Sequence, residues 1–318
     1  MDKEPIKERM EVSSVSAKRS DETVLMCQAL RKSYGRVQAL RGVDLEVQSG
    51  EVFGFLGPNG AGKTTTIRCL LDAIRPDAGT VRVLGVDPQA NPVAVQARTG
   101  YLPGELRLYD NLTAESQLRF LSDMRGTRAD WSHVRRLAER LDLDLTTPIK
   151  NLSKGNKQKV GVVQALMHRP ELLMLDEPTG GLDPLMQQEV LGLIREANAD
   201  GTTVFFSSHI MSEVQVIADR VAMIREGVIV EVAETRSLID RALIRTTVRF
   251  KQPVDGSALA NVPGVTVLSW DDHSSVTLQV KGDMDALVKA LGSYPVRDLE
   301  TARPSLEEVF LAYYQKNH

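Results

Sequence analysis

The run Gly57-Pro58-Asn59-Gly60-Ala61-Gly62-Lys63-Thr64 constrains this chain more than any other feature, because it fits the pattern G-x-x-x-x-G-K-[ST]. It follows a continuous apolar run, Val52 to Leu56, and precedes a helix-like segment, Thr65 to Leu71. In that setting the glycines let backbone N–H groups converge on phosphates. Lys63 would bridge the β- and γ-phosphates, Thr64 would offer its hydroxyl to Mg²⁺, and the helix N-terminus at Thr65 adds favourable partial charge. The sequence therefore predicts a nucleoside triphosphate site.

Composition excludes several classes of protein. The chain has 318 residues, enough for roughly two domains. Lys plus Arg number 39 against 42 Asp plus Glu, so nothing in the net charge of −3 favours nucleic acid as a partner. The two cysteines, Cys27 and Cys69, are far apart, which argues against a zinc ribbon or a disulfide framework. No stretch reaches the roughly 18 apolar residues of a membrane helix.

The hydrophobic pattern divides the chain into three segments of different predicted structure. Residues 1–22 carry charges of both signs and are expected to be a disordered extension. Residues 23–243 alternate strand-like and helix-like segments, as in an α/β domain, with a helical insert at about 110–165. Val43 to Val47 alternates like a half-exposed antiparallel strand, whereas Leu172 to Leu175 and Thr203 to Phe206 resemble buried parallel strands.

Residues 244–318 have a different character and predict a small α+β accessory domain. Its expected strands lie at Thr246 to Phe250, Val265 to Trp270, Val276 to Val280 and Val296 to Leu299, and its expected helices at Met284 to Leu291 and Ser305 to Tyr314. Ser305 and Glu308 have the spacing of a capping box.

A second candidate site element is the apolar run Leu172 to Leu175 followed by Asp176 and Glu177. Carboxylates at the carboxyl edge of a parallel sheet lie where phosphate ligands bind. Asp176 would hold Mg²⁺ through water, and Glu177 would act as the general base for an attacking water.

Several further motifs, in order, carry a resemblance to the ATP-binding cassette (ABC) family. Asn151-Leu152-Ser153-Lys154-Gly155-Asn156-Lys157-Gln158 resembles that family's signature motif, LSGGQ. Leu175-Asp176-Glu177-Pro178-Thr179, Gly181-Leu182-Asp183-Pro184 and Ser207-Ser208-His209 resemble its Walker B motif, D-loop and switch histidine. Tyr34 matches its adenine-stacking aromatic residue.

The resemblance implies a P-loop NTPase fold of the ABC-cassette type, with an antiparallel β subdomain and a helical subdomain. It implies that ATP and Mg²⁺ bind between two copies of the chain arranged head to tail. Ser153 and Gly155 would then face the γ-phosphate of the nucleotide on the opposite copy. His209 would contact that phosphate and the attacking water, and Asp183 would couple the two sites.

Two departures from the family pattern are visible. Lys154 and Asn156 stand where Gly and Gln are commoner. Gly104, after Gly100-Tyr101-Leu102-Pro103, stands where a Q-loop glutamine is expected, and the next residue, Glu105, is the candidate to supply an oxygen to Mg²⁺ or water.

These departures, with Pro304-Ser305-Leu306-Glu307-Glu308, resemble the ATPase subunits of ABC-2 type exporters, including drug and antibiotic efflux systems. The resemblance implies that ATP hydrolysis powers export of a small molecule, either a drug or antibiotic or a lipid-like compound, through a separate membrane permease. It also implies a location at the cytoplasmic face of the membrane, where that permease holds the chain. The helical insert and the Tyr101 to Leu112 loop would form the groove for a permease helix. An importer ATPase and a non-transport ABC ATPase acting on ribosomes or nucleic acid remain alternatives, although one phosphate loop and the absence of C-x-x-C disfavour the latter.

Overall fold

The computed structural model of the chain describes residues 22–126, 129–241 and 244–302. Nearly all of the expected disordered extension, and the expected closing helix with Ser305 and Glu308, lie outside the described residues. The strands, in chain order, are β1 (Thr23–Tyr34), β2 (Val37–Gln48), β3 (Val52–Leu56), β4 (Ala78–Val83), β5 (Thr99–Leu102), β6 (Leu172–Asp176), β7 (Thr203–Ser208), β8 (Arg220–Arg225), β9 (Val228–Glu234), β10 (Ile244–Phe250), β11 (Val265–Asp271), β12 (Ser275–Val280) and β13 (Val296–Ala302). The α-helices are α1 (Lys63–Leu70), α2 (Pro92–Arg98), α3 (Ala114–Met124), α4 (Trp131–Arg140), α5 (Lys154–Leu166), α6 (Pro184–Ala199), α7 (Met211–Ile217), α8 (Thr235–Arg241) and α9 (Asp285–Leu291).

A six-stranded sheet, ordered β5-β6-β7-β3-β8-β9, forms the centre of the first part of the chain. Its strands are parallel except β9, which pairs antiparallel with β8. Every residue of β3, β6 and β7 is buried, as the continuous apolar runs predicted. Because parallel strands end at a common edge, this sheet brings the residues after β3, β6 and β7 together.

A separate antiparallel sheet, ordered β2-β1-β4, packs beside the central one. The alternation seen at Val43 to Val47 places Val43, Leu45 and Val47 inside and Asp44 and Glu46 outside, so the predicted antiparallel strand is confirmed. The inner residues share one hydrophobic cluster with Phe53 and Phe55 of β3 and with α1. Cys69 of α1 is buried in that cluster, and burial raises the pKa of its thiol to about 11, which leaves it a packing residue.

Helices α3, α4 and α5 lie in the segment predicted to be a helical insert. Thr113 caps α3 through its hydroxyl, and Asp130 caps α4 through its carboxylate. Apolar residues of these helices form one cluster with β6 and α6. On the outside of that cluster, Arg140 pairs with Glu189 and Glu196 of α6, which ties α4 to α6.

The strands and helix expected between residues 244 and 302 are present. They form a four-stranded antiparallel sheet ordered β11-β12-β10-β13. One face buries Val248, Phe250, Val276 and Leu278 with Leu287 of α9 in a cluster of their own. None of the helices in the three described ranges is long and apolar enough to cross a membrane.

Candidate nucleotide site

The phosphate loop, Glu177 and His209 meet at the carboxyl edge of the central sheet. The loop follows β3, Glu177 follows β6 and His209 follows β7. Gly57 N donates to Ser208 O at 3.3 Å, and Glu177 N donates to Ser207 O at 3.2 Å, so backbone hydrogen bonds join the three strand ends. Residues that are more than 100 positions apart in the chain therefore share one site.

The glycines of the phosphate loop have steric reasons to be glycine. Gly60 and Gly62 have φ values of 80° and 113°, a region that L side chains avoid. A Cβ on Gly57 would lie 2.5 Å from Ile224 O, and one on Gly62 would lie 2.8 Å from Ala39 O. Pro58, Asn59 and Gly60 are exposed, whereas Ala61 is buried beneath them.

Lys63 points back into its own loop. It begins α1, and its Nζ donates to Gly57 O at 2.7 Å and to Pro58 O at 3.2 Å. The same Nζ lies 3.5 Å from Glu177 Oε1. Thr64 and Thr65 are half-buried in the first turn of α1, where no side chain caps the helix. Its first backbone N–H groups are therefore available to an anion.

Glu177 lies between Lys63 and His209. Its Oε1 is 3.2 Å from His209 Nδ1, within hydrogen-bonding range. Its backbone has a φ of 53°, a conformation that costs a residue other than glycine about 1–3 kcal/mol. Such a conformation persists only where surrounding contacts impose it, and it is commonest at functional sites.

Asp176 has one engaged and one free carboxylate oxygen. Its Oδ1 accepts a hydrogen bond from Ser207 Oγ at 2.5 Å. Its Oδ2 is buried and has no hydrogen-bond partner among the described residues. A buried oxygen left unpaired is costly unless it meets a donor or a cation, so this oxygen fits a Mg²⁺ site.

The segment after β5 lies against Asp176. A Cβ on Gly104 would lie 2.8 Å from Asp176 Oδ2, so glycine leaves that oxygen uncovered. Glu105, the predicted substitute for the Q-loop residue, is exposed, and its role remains a prediction. Burial, with the Asp176 carboxylate as a smaller cause, raises the pKa of Tyr101, which keeps this phenol neutral beside the site.

The signature motif is at the N-terminus of α5. Ser153 is exposed, and its Oγ accepts from Asn156 N at 3.1 Å as the helix cap. A Cβ on Gly155 would lie 3.0 Å from Gly181 O, so the helix and the D-loop approach closely. Asp183 is exposed and caps α6, with its Oδ1 accepting from Leu185 N and Met186 N at 3.1 Å each.

Tyr34 lies at the tip of the β1–β2 hairpin. Its side chain is 48% exposed, and Lys32 Nζ lies 5.9 Å from the ring centroid. It pairs with Val37, and Ala39, two residues further on in β2, contacts the phosphate loop at Gly62. The hairpin therefore presents an exposed aromatic ring at the end of β1, next to the strand that borders the phosphate loop.

Two residues that organise the site had not been assigned a role from the sequence. Ser207 Oγ donates to Asp176 and accepts from Glu177 N at 3.2 Å. Gln158 Nε2 donates to Glu177 O at 3.1 Å and to Pro178 O at 3.0 Å. Both lie inside recognised motifs, but only the folded chain shows that they hold the backbone at Glu177.

The fold and this site define a P-loop nucleotide-binding protein. The family described as ABC transporter matches residues 40–180, and the C-terminal domain described for ATP-binding proteins of the DrrA1-3 type matches residues 232–314. The linearmycin resistance ATP-binding protein LnrL of Bacillus subtilis is 32% identical, over 91% of this chain and 97% of that protein. The daunorubicin resistance ATP-binding protein DrrA3 of Streptomyces coeruleorubidus is 35% identical, over 91% and 95%. This chain belongs to the ATP-binding proteins of ABC transporters, and it is a transport-coupled ATPase.

Solved structures agree on the fold. The ATP-binding subunit of an ABC transporter superposes with a TM-score of 0.62 at 29% identity, covering 68% of this chain and 92% of that one. The dimeric bacterial cassette MJ0796 superposes with a TM-score of 0.61 at 21% identity, covering 67% and 99%. The expected ABC-cassette fold is therefore confirmed.

Proposed function

We propose that this chain hydrolyses ATP to drive export of a drug-like or antibiotic molecule through a separate ABC-2 type permease. The observation that carries the ATPase mechanism is Glu177, whose carboxylate lies 3.5 Å from the phosphate-loop lysine and 3.2 Å from His209. The antibiotic resistance relatives support the direction of transport and the class of substrate. In this proposal residues 23–243 are the ATPase unit and residues 244–318 an accessory domain.

In the proposed mechanism, the loop from Gly57 to Thr65 binds the phosphates through its backbone N–H groups. Lys63 exchanges its contacts with Gly57 O and Pro58 O for the β- and γ-phosphates. Glu177 accepts a proton from the attacking water, and His209 orients that water and the γ-phosphate. Tyr34 stacks on adenine, which contributes roughly 1–3 kcal/mol by the precedent of base stacking on aromatic side chains.

Mg²⁺ is proposed to be held by the Thr64 hydroxyl and by Asp176, with Glu105 as a further oxygen donor. When bound, it neutralises charge on the β- and γ-phosphates. The unpartnered Asp176 Oδ2 supports this assignment.

A side chain at position 104 should weaken the binding of Mg²⁺ to Asp176. Because its Cβ would lie 2.8 Å from Asp176 Oδ2, Gly104→Ala is expected to raise the Mg²⁺ concentration for half-maximal ATPase activity about 10-fold. The measurement is ATP hydrolysis against Mg²⁺ concentration. Glu105→Gln, measured alongside, is expected to give a smaller shift; a larger shift than that of Gly104→Ala would make Glu105 the principal ligand. An unchanged Mg²⁺ curve in both variants would contradict this magnesium site.

The proposed active form is a head-to-tail pair of chains. Ser153 and Gly155 are at the exposed N-terminus of α5, where they would face the γ-phosphate on the partner copy. Asp183 caps α6 and lies two residues after Gly181, which closely approaches the signature helix α5. Asp183 would therefore couple the closing of one nucleotide site to the closing of the other. The dimeric arrangement of the MJ0796 cassette, which shares the fold, supports this geometry.

The proposed permease site is a groove between α2, α3 and the segment after β5. It encloses roughly 620 Å³ and is lined by Val93, Tyr101, Arg107, Leu121, Met124 and Arg125, among others. Val93 and Met124 are among the most exposed large apolar side chains of the described residues. An amphipathic permease helix with an apolar face and an acidic residue fits this lining, because both charged side chains named there are arginines.

Capture of the permease tests the transport proposal. Tagged Glu177→Gln protein would be purified from membranes of its source cell with Mg-ATP, and the bound chains identified by mass spectrometry. We expect a polytopic membrane protein in about equal amount, lost in Met124→Asp and retained in Val288→Asp, a matched change at an exposed apolar residue outside the groove. Co-expression of that permease with the wild-type chain should then raise resistance to its substrate.

Other results would redirect the assignment. Uptake instead of efflux in cells carrying the pair would identify an importer. Recovery of ribosomes or nucleic acid without a membrane protein would contradict the transport proposal and indicate a non-transport ATPase. Nothing in the net charge of −3 favours nucleic acid as a partner.

A further inference from the structure

A buried carboxylate, Glu213 of α7, joins the two loops that carry Glu177 and His209. It is 4% exposed and has no part in the mechanism above. One oxygen, Oε1, accepts a hydrogen bond from Thr179 Oγ1. The other, Oε2, accepts from Ser208 Oγ at 2.6 Å.

Each hydroxyl belongs to a residue next to the reacting groups. Thr179 is two residues after Glu177 and is itself buried, and its carbonyl accepts from Leu182 N at the start of the D-loop. Ser208 directly precedes His209 and is also buried. Its Oγ accepts from Ile210 N at 2.9 Å, so one hydroxyl spans the turn that holds His209.

We infer that Glu213 is a positioning residue for ATP hydrolysis: it sets the separation of Glu177 and His209 by bridging Thr179 and Ser208. The inference rests on the proposed roles of those two groups. A buried carboxylate with two hydroxyl donors is a rigid link, because losing either donor would leave a buried oxygen unsatisfied. The backbone of Glu177 in turn depends on outside contacts, since its φ of 53° is unfavourable by itself.

Removing the bridge should slow the chemical step and leave nucleotide binding intact. A displacement of about 1 Å at a reacting group can cost about 100-fold in rate. For Glu213→Ala we expect kcat for ATP to fall roughly 10- to 100-fold with KM within about threefold of the parent, since the carboxylate of Glu213 bonds to Thr179 and Ser208, which follow Glu177 and precede His209. Purified full-length chain and a phosphate-release assay give both constants.

A conservative variant separates bridging from charge. Glu213→Gln keeps the shape, with its amide oxygen accepting from Thr179 and its NH₂ donating to Ser208 Oγ. Ser208 can then donate to Ile210 O, which already lies 3.2 Å away. We expect Gln at this position to recover most of kcat, whereas Glu213→Asp, one methylene shorter, should not.

A double-mutant cycle distinguishes positioning from general destabilisation. If Glu213 acts by setting the separation of Glu177 and His209, Glu213→Ala should lower kcat less than about threefold in a His209→Ala background, because that separation no longer matters once one of the two groups is gone. Glu51→Gln is the matched control: Glu51 is 3% exposed and pairs with Arg220, but at the opposite end of β3. It is expected to lower the melting temperature with kcat unchanged.

If Glu213→Ala does not fold, Thr179→Val provides the same test, because it removes one of the two hydroxyl donors at nearly constant volume. We expect kcat of Thr179→Val to fall and its KM to be preserved. A parental kcat in whichever of these two variants folds would overturn the inference. So would a fully additive loss of kcat when Glu213→Ala is made in the His209→Ala background. An equal loss of kcat in Glu213→Gln and Glu213→Ala would overturn it as well. A parent chain that hydrolyses no ATP would instead overturn the proposed function together with this inference.

Discussion

Glu177→Gln is expected to slow ATP hydrolysis by roughly 10²- to 10⁴-fold, the usual consequence of losing a general base. This corresponds to about 3–5 kcal/mol of activation free energy. The amide keeps the shape of the carboxylate but cannot accept the proton of the attacking water. Single-turnover hydrolysis with excess enzyme measures this step without product release.

The same variant should accumulate as an ATP-bound dimer, because the nucleotide that joins the two copies is no longer consumed. Light scattering with and without Mg-ATP would detect the doubling of mass. Glu171→Gln is the matched control, since Glu171 pairs with Arg98 at the other end of β6 and should leave the rate unchanged. Hydrolysis by Glu177→Gln at the parental rate would show that another group is the base.

Lys63→Ala is expected to weaken ATP binding about 10- to 150-fold. Charge-assisted hydrogen bonds contribute about 1.5–3 kcal/mol each, which converts to that range of Kd. Lys63 is buried, so its loss also leaves Gly57 O and Pro58 O without their donor. Lys63→Met, which fills more of the space, distinguishes a lost cation from a collapsed loop.

Titration with a fluorescent ATP analogue measures the affinity of each variant, and the melting temperature reports folding. We expect both substitutions at Lys63 to weaken binding to a similar degree. Lys289→Ala, which removes an exposed lysine paired with Asp285 in α9, should bind as the parent does. Unchanged affinity in Lys63→Met would contradict the phosphate-loop assignment.

Elements whose signal is local could be predicted from the sequence. The buried strands β3, β6 and β7 are continuous apolar runs, and the strands of the C-terminal sheet show β-branched runs of the right length. The phosphate loop was predictable for the same reason, because its glycines and lysine act within eight consecutive residues. The order of the strands in the sheet could not be predicted in this way. β3 pairs with β7 on one side and β8 on the other, and no residue pattern within β3 indicates those partners.

The candidate site divides in the same way. The sequence by itself determined which residue types were available: the phosphate loop, Asp176 and Glu177 after one strand, and Ser207 to His209 after another. Only the tertiary structure decided that Ser207 engages one oxygen of Asp176, that Gly104 leaves the other uncovered, and that Glu213 links the loops of Glu177 and His209. The physical reason is that these contacts join residues up to about 70 positions apart. Their geometry follows from the strand order and the helix packing, which the hydrophobic periodicity of a single strand or helix does not specify.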